Sequence, residues 1–190
     1  MNAINILIVG VGGQGTLLAS KLMGKIFIDA GMDVKVSEVH GMSQRGGSVV
    51  TYVRAGEKVY SPVIDMGEAD LMISFEALES ARWLPYLKKG GTIISNTAKI
   101  DPMPVIMGNA KYPEDVLKQI TDAGVNVISA DALSMAVEAG SAKAVNIVLL
   151  GIAARSLGLN YDDCINAIRA TVPAKTIEVN EKAFDSGYNL

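Results

Sequence analysis

The sequence predicts an α/β fold, a three-layer sandwich with a mostly parallel, Rossmann-like sheet, one hairpin and a helical C-terminal third. Short apolar runs rich in β-branched residues alternate with amphipathic helical stretches up to Ser129, and the elements predicted after that point are helices. The first apolar run leads directly into a glycine-rich turn and a helix. With 190 residues, 49% of them hydrophobic, the chain is expected to form a single domain over residues 1–190.

The first three elements predict a βαβ unit. Residues 3–9 have the pattern of a strand buried on both faces, residues 16–30 that of an amphipathic helix, and residues 32–39 that of a second strand. The motif Gly10-Val11-Gly12-Gly13-Gln14-Gly15, here called the glycine turn, allows close packing and offers helix N-terminal N–H groups to an anion. Glu38 follows at the distance where a dinucleotide-binding fold places its ribose carboxylate. The turn is compatible with two roles, dinucleotide binding and tight packing of the helix on the sheet.

A hairpin is predicted to interrupt this alternation, with strands at 48–54 and 59–61 around a turn at 55–58. The elements that follow are a strand at 71–75, a helix at 76–87, a strand at 92–95, an irregular stretch at 96–108, a helix at 113–124 and a strand at 126–129. The C-terminal third has helices at 131–138, 142–157, 160–171 and 174–186. The helix at 142–157 is apolar on most faces, so Asn146 within it is expected to be paired, either inside the chain or at an interface with a partner.

Charge and composition argue against several classes of function. The 17 basic and 20 acidic residues give a net charge of −3 without a basic cluster, so nucleic acid is not an expected partner. No apolar run approaches the roughly 20 residues of a membrane span, and no signal peptide is visible, so we expect a cytoplasmic protein and no membrane contact. The single cysteine, Cys164, lies in a helical pattern and is predicted to be a buried apolar residue. One cysteine and one histidine cannot form a soft-ligand metal site or hold an iron–sulfur cluster.

The chemistry is predicted in the loop His40-Gly41-Met42-Ser43-Gln44-Arg45-Gly46-Gly47. This loop combines backbone freedom at its glycines, an arginine suited to carboxylate or phosphate, and directional hydrogen-bonding side chains. It follows the end of a predicted strand, where open α/β sheets bind ligands. Taken alone, His40 fits a structural histidine and Arg45 a solvated charge, but their occurrence beside three glycines favours a functional loop.

Other catalytic signatures are absent from the sequence. One histidine supports no convincing Ser-His-Asp set, and there is neither a Gly-x-Ser-x-Gly motif nor a Tyr-x-x-x-Lys pair. Gln14-Gly15-Thr16 stands where a Walker A motif would have Gly-Lys-Thr, which argues against an NTPase. We therefore expect the chain to be part of a catalyst whose active centre lies largely on a partner.

Two motifs together carry a resemblance to a known family. Gly12-Gly13-Gln14-Gly15, followed by His40-Gly41-Met42-Ser43-Gln44-Arg45-Gly46-Gly47-Ser48-Val49, resembles the gamma-type subunit of 2-oxoacid:ferredoxin oxidoreductases. The His-Gly-Met form of the loop is similar to the indolepyruvate branch of that family. The resemblance extends over nearly the whole chain, including Asn146 and the stretch 173–184.

The resemblance implies a large companion subunit that carries thiamine diphosphate, magnesium and [4Fe–4S] clusters, whereas this chain alone binds no cofactor. The complex would oxidatively decarboxylate an aryl-2-oxoacid such as indolepyruvate, with coenzyme A as co-substrate and ferredoxin as electron acceptor. His40, Ser43, Gln44 and Arg45 would lie at the partner's site, and the glycine turn would bind a coenzyme A phosphate or pack tightly. This subunit would be inactive alone, and its exposed docking face would favour a homodimer in isolation.

Two other functions fit the same sequence. A dinucleotide-binding regulatory module or small NAD(P)-dependent reductase would use Gly10, Gly12, Gly15 and Glu38, and NAD or NADP would raise its melting temperature. A purely structural assembly subunit would tolerate changes at His40 and Arg45 as long as docking persists.

Overall fold

The computed structural model describes residues 3–39 and 47–190. A six-stranded mixed sheet in the order β2-β3-β1-β4-β5-β6 forms its middle layer. The strands are β1 (Ile4–Val11), β2 (Asp33–Val39), β3 (Ser48–Gly56), β4 (Ala69–Ser74), β5 (Leu87–Asn96) and β6 (Asn126–Ala130). The helices are α1 (Thr16–Asp29), α2 (Ala77–Arg82), α3 (Met103–Ile106), α4 (Val116–Asp122), α5 (Ala132–Glu138), α6 (Val145–Ser156), α7 (Tyr161–Thr171) and α8 (Ile177–Tyr188). The predicted fold class is confirmed.

One antiparallel strand is inserted into an otherwise parallel sheet. β1, β4, β5 and β6 are parallel neighbours, whereas β3 pairs antiparallel with both β1 and β2. β2 therefore has the direction of β1 but is separated from it by β3. The end of β2 lies one strand spacing, about 4.8 Å, further from the glycine turn than in an uninterrupted Rossmann order.

The hairpin predicted between 48–54 and 59–61 does not form, and the sheet contains a hairpin of β2 with β3 instead. β3 pairs with β2 in a register from Val39 opposite Val50 to Asp33 opposite Gly56, so the hairpin closes across the loop at 40–47. Residues 59–61 form no strand. Since β3 is paired along both edges, it has no free edge for that segment, and the Val59 N–H is bound by the Asp33 carboxylate at 2.9 Å instead.

The boundary between α2 and β5 also differs from the prediction. The helix ends at Arg82 rather than at 87, and a 3₁₀ turn containing Pro85 connects it to β5. The pairing of β4 with β5 shifts between Ala69 opposite Leu87 and Leu71 opposite Thr92. Gly90, at φ 82°, lies within this irregularity, so the Lys-Lys-Gly-Gly stretch is a bulge in a long strand rather than a helix stop.

Both faces of the central strands are buried. Ile6 and Ile8 face the core formed with α1 and with α5 to α8, whereas Leu7 and Val9 face a smaller core formed with α2 and α4. This alternation gives the three layers, because successive side chains of a strand point to opposite faces. In the described ranges, no helix is long and apolar enough to cross a membrane.

α6 and α8 meet with their backbones in contact. A Cβ atom on Gly187 would lie 2.0 Å from the Val148 carbonyl oxygen, and one on Gly151 would lie 2.3 Å from that of Phe184. Neither position has room for a side chain. α6 is buried on nearly all its faces, as its sequence predicts.

Replacing Gly187 by alanine is expected to lower the free energy of unfolding by about 3 kcal/mol, because the two helices must separate to admit the methyl group. Gly24→Ala is the matched control, since its Cβ would lie at an ordinary 3.4 Å from Val36. Because alanine has a better helix propensity than glycine, Gly24→Ala should leave the free energy of unfolding unchanged or raise it by up to about 1 kcal/mol. Urea unfolding of both variants measures the difference, and equal stabilities would contradict the close-packing explanation.

Candidate functional site

The glycine turn connects β1 to α1 at the carboxyl edge of the parallel strands. Gly13 and Gly15 have φ values of 99° and 87°, which L-residues with side chains rarely adopt. Gly10 is required for a different reason, because a Cβ there would lie 2.8 Å from Gln14 Oε1 and 3.0 Å from Phe75 Cβ. The predicted role of the turn in close packing is therefore visible in its geometry.

The Gln14 side chain fastens this turn to the end of β4. Its Oε1 accepts a hydrogen bond from the Val11 N–H at 2.7 Å, and its Nε2 donates to the Phe75 carbonyl at 3.1 Å. Both ends of the amide are thus engaged with backbone. The turn can offer backbone N–H groups to an anion. Within the described residues, the N–H groups of Thr16 and Leu17 at the start of α1 have no acceptor.

The predicted loop begins and ends beside the glycine turn. His40, Gly41, Met42, Ser43, Gln44, Arg45 and Gly46 lie outside the described residues. The Gly47 carbonyl accepts a hydrogen bond from Gly12 N–H at 3.0 Å. A pocket of about 390 Å³, the turn pocket, lies between the turn and the adjoining strand ends. It is lined by Gly12, Gly13, Gly15, Thr16, Leu17, Val39, Val49, Val50 and Thr51.

A buried carboxylate anchors the chain where it leaves the loop. Ser48 Oγ donates a hydrogen bond to the carboxylate of Glu79, whose residue is only 3% exposed. Trp83 Nε1 donates to the same Ser48 hydroxyl at 3.2 Å, and Arg82 Nε lies 3.0 Å from the other Glu79 oxygen. The start of β3 is thereby fixed to α2 and the residue that follows it.

A second, larger cleft lies on the other side of the glycine turn and is called here the lysine cleft. It has a volume of about 650 Å³ and is lined by Gly13, Gln14, Gly15, Asn96, Ala98, Lys99, Ile100, Leu133, Ala142, Lys143 and Val145. The two lysines and the helix starts at Gly15 and Val145 make the cleft electropositive, whereas Ile100, Leu133 and Val145 make part of its wall apolar. It fits an anionic, partly apolar ligand.

Lys99 and Lys143 were not among the site residues predicted from the sequence. Lys99 comes three residues after the end of β5, Lys143 comes two residues before the start of α6, and 43 other residues separate them in the chain. Their positions in the sequence could have pointed to them. Lys99 comes soon after a predicted strand and Lys143 lies in the first turn of a predicted helix, and α/β folds bind ligands at both places.

Asn146 connects the start of α6 to the start of α1. Its Nδ2 donates to the Gly15 carbonyl oxygen at 3.3 Å, and the residue is 4% exposed. Asn146 Oδ1 is buried without a hydrogen-bond partner in the part of the chain that the structure describes. Pairing inside the chain is thus observed for the Asn146 Nδ2, and a contact with a partner stays a prediction.

Glu38 does not line either cavity at the glycine turn. Its carboxylate accepts a hydrogen bond from Ser20 Oγ at 3.0 Å, and it borders a groove between α1 and β2. The insertion of β3 accounts for this position, because it moves β2 away from β1. The geometry gives no support to a ribose contact of the kind expected in a dinucleotide-binding fold.

Cys164 is fully buried, and burial raises the pKa of its thiol to about 11. The thiol is therefore protonated at neutral pH and behaves as an apolar core residue, as predicted. Across residues 3–39 and 47–190, no group of three or more His, Cys, Asp or Glu side chains is placed to hold a metal ion.

A family model described as pyruvate ferredoxin/flavodoxin oxidoreductase matches residues 5–190. The chain belongs to this family. It is 46% identical over 192 residues to "Indolepyruvate oxidoreductase subunit IorB" of Thermococcus kodakarensis, covering 98% of this chain and 95% of that protein. The protein of the same name from Archaeoglobus fulgidus is 40% identical, with 98% and 94% of the two chains covered.

Solved structures share the fold over the whole chain. The gamma subunit of a keto/oxoacid ferredoxin oxidoreductase from Geobacter sulfurreducens has a TM-score of 0.73 at 22% identity, covering 98% of this chain and 96% of that one. A 2-oxoglutarate:ferredoxin oxidoreductase from Magnetococcus marinus, with 2-oxoglutarate, coenzyme A and succinyl-CoA bound, has a TM-score of 0.77 at 20% identity. This chain matches it over its full length, which is 31% of that longer chain. The resemblance to gamma-type oxidoreductase subunits, and to the indolepyruvate branch, is confirmed.

Gln14→Met is expected to lower the free energy of unfolding by about 2 kcal/mol, because it leaves the buried Val11 N–H unpaired and removes one of the two donors to the Phe75 carbonyl while keeping the side chain's length. Gln119→Met, at an exposed position of α4 whose amide donates to the Glu114 carbonyl, is the control and should change stability by less than about 0.5 kcal/mol. Urea unfolding compares the two, and an equal loss would show that Gln14 does not fasten the turn.

Proposed function

We propose that the chain is the small subunit of a thiamine-dependent aryl-2-oxoacid ferredoxin oxidoreductase that acts on indolepyruvate. The observation that carries this proposal is the 37 to 46% identity, over nearly the full length, to proteins named indolepyruvate oxidoreductase subunit IorB. The complex oxidatively decarboxylates the oxoacid, transfers the acyl group to coenzyme A and passes the electrons to ferredoxin. The cytoplasmic location and a homodimer of the isolated chain remain predictions of the sequence.

The cofactors of this reaction are assigned to a large partner subunit. Thiamine diphosphate supplies the carbanion stabilisation that decarboxylation of a 2-oxoacid needs. The chain has a single cysteine, whereas a [4Fe–4S] cluster is commonly held by four. Its described acidic residues form no group suited to the magnesium of a diphosphate. These donor sets fit a chain that contributes positioning groups rather than cofactor ligands.

We assign coenzyme A to the glycine turn and the lysine cleft. The ammonium groups of Lys99 and Lys143, together with the free N–H groups of Thr16 and Leu17, match phosphate chemistry. The apolar wall at Ile100 and Leu133 matches the aliphatic part of the molecule. The Magnetococcus marinus enzyme, part of which shares this fold, has coenzyme A bound, which is compatible with coenzyme A as the co-substrate.

The loop at 40–47 is assigned to the partner's thiamine site. Gly12 and Gly47 are hydrogen-bonded to each other, so the loop departs from the turn assigned to coenzyme A. His40, Ser43 and Gln44 supply directional hydrogen bonds there, and Arg45 supplies a bidentate contact to a carboxylate or phosphate.

Lys99→Met and Lys143→Met in the assembled complex should each raise KM for coenzyme A about fivefold, roughly 1 kcal/mol of binding free energy, with KM for indolepyruvate unchanged. The ratio of variant to wild-type KM should be smaller at high salt, because salt screens the lysine–phosphate contact in the wild-type complex as well. Lys118→Met, on exposed α4, is the control and should change neither constant. Steady-state kinetics with dye reduction measures KM for coenzyme A and KM for indolepyruvate. The same KM for coenzyme A in all three variants would rule out the lysine cleft as the coenzyme A site.

Arg45→Ala should reduce turnover of the assembled complex tenfold or more, about 1.4 kcal/mol of transition-state stabilisation, because a fixed cationic contact is lost. Arg45→Lys keeps the charge and tests the bidentate geometry separately. Co-purification with the large subunit shows whether docking persists. Unchanged kinetics in a normally assembled complex would remove Arg45 from the mechanism and favour a purely structural subunit.

The proposal as a whole is tested by isolating the chain from its native extract and assaying the eluate for dye reduction that depends on both indolepyruvate and coenzyme A. A co-eluting large iron–sulfur protein with this activity is the expected result. An eluate with this chain alone, no such activity and a melting temperature that rises with NAD or NADP would replace the proposal with the dinucleotide-binding function.

A further inference from the structure

The segment at 96–100, which brings Lys99 to the lysine cleft, is fixed along its length. Asn96 is 3% exposed, and its side chain donates to the Phe75 carbonyl at 3.3 Å and accepts from the Ala132 N–H at 3.1 Å. The backbone at 97–98 is hydrogen-bonded to the end of β6 and the start of α2, at 3.0 and 2.9 Å. The remaining two residues, Lys99 and Ile100, both line the cleft.

Glu76 holds the far end of this segment. Its side chain is buried, with the residue 1% exposed, and one carboxylate oxygen accepts from both the Ile100 N–H, at 3.0 Å, and the Tyr112 hydroxyl. The other oxygen accepts from the Glu79 N–H at 3.0 Å and so caps α2. Every one of these donors comes from the chain itself, which makes Glu76 a fixed structural anchor rather than a group free to bind a ligand.

Tyr112 contacts Lys99 directly and is linked to Ile100 through Glu76. Its hydroxyl donates to Glu76 and accepts from the Leu78 N–H at 3.1 Å. Burial, followed by the bond to Glu76, raises the pKa of Tyr112 well above its usual range, so the hydroxyl remains a donor at neutral pH. The Lys99 Nζ lies 5.9 Å from the centre of the Tyr112 ring, within the range of a cation–π contact.

We infer that Tyr112 is a positioning residue for the anionic co-substrate: its ring orients the Lys99 ammonium, and its hydroxyl, through Glu76, fixes the Ile100 backbone at the wall of the cleft. The inference rests on the proposed binding of coenzyme A in the lysine cleft. A residue that merely capped α2 would need the bond to Glu76 but not the ring beneath Lys99. Tyr112 instead acts on two adjacent residues of one cleft wall, on Lys99 directly and on Ile100 through Glu76.

The test is a double-mutant cycle in the assembled complex. Tyr112→Leu removes the ring and the hydroxyl and is expected to raise KM for coenzyme A about fivefold, as Lys99→Met does, without changing KM for indolepyruvate. Combined with Lys99→Met, it should add no more than about twofold, because both substitutions remove one contact to the ligand. Tyr60→Leu is the matched control, since the Lys58 Nζ also lies 5.9 Å from its ring centre and Tyr60 is 89% exposed. It should change neither constant.

Tyr112→Phe keeps the ring under Lys99 and removes only the hydroxyl, so it serves if the leucine variant fails to fold, as judged by its melting temperature. Its expected rise in KM for coenzyme A is about twofold, and this rise should persist in combination with Lys99→Met, because the hydroxyl acts through Glu76 on Ile100 rather than through Lys99. Multiplicative effects in the leucine cycle, or an unchanged KM in both Tyr112 variants, would overturn the positioning role while the coenzyme A assignment stands. An unchanged KM in Lys99→Met would overturn the coenzyme A assignment and this inference with it.

Discussion

The Gln14 carboxamide joins two neighbouring parallel strands at their carboxyl ends. Gln14 accepts from the Val11 N–H and donates to the Phe75 carbonyl, and so joins the end of β1 to the end of β4 above the plane of the strands. The close approach it needs explains why Gly10 has no side chain. Because the same turn begins α1 and receives the end of the loop at 40–47 through Gly12, both cavities of the candidate site inherit their shape from this contact.

The inserted strand β3 explains why a chain with a dinucleotide-type motif lacks a dinucleotide-type geometry. Its pairing with β1 and β2 moves Glu38 to a groove beside α1. The same insertion brings both ends of the predicted loop to the glycine turn, since β2 enters the loop and β3 leaves it. One change in strand order thus moves Glu38 away from the glycine turn and brings Val39, which precedes the predicted loop, and Gly47, which ends it, beside that turn.

Local patterns in the sequence were sufficient for the fold class and for most elements. The glycine turn, the buried α6 and the caps of α5 and α7 at Asp131 and Asn160 follow from residues close together in the chain. The hairpin partner and the α2–β5 boundary were wrong because they depend on which edge of β3 is free and on a bulge, which are long-range properties. For the same reason Lys99 and Lys143 were missed, whereas Gln14 was noticed in the motif but its contact with Phe75 was not foreseeable.

The fixed backbone at 96–100 has a thermodynamic consequence for any anion that enters the lysine cleft. Ordering a flexible segment on binding costs conformational entropy, roughly 1–2 kcal/mol for each residue of backbone. Here that cost has already been met during folding, by the hydrogen bonds of Asn96, Glu76 and their neighbours. The backbone of this wall therefore adds little entropic cost to the association of an anion, and the cost that is left lies in the rotamer freedom of the two lysine side chains.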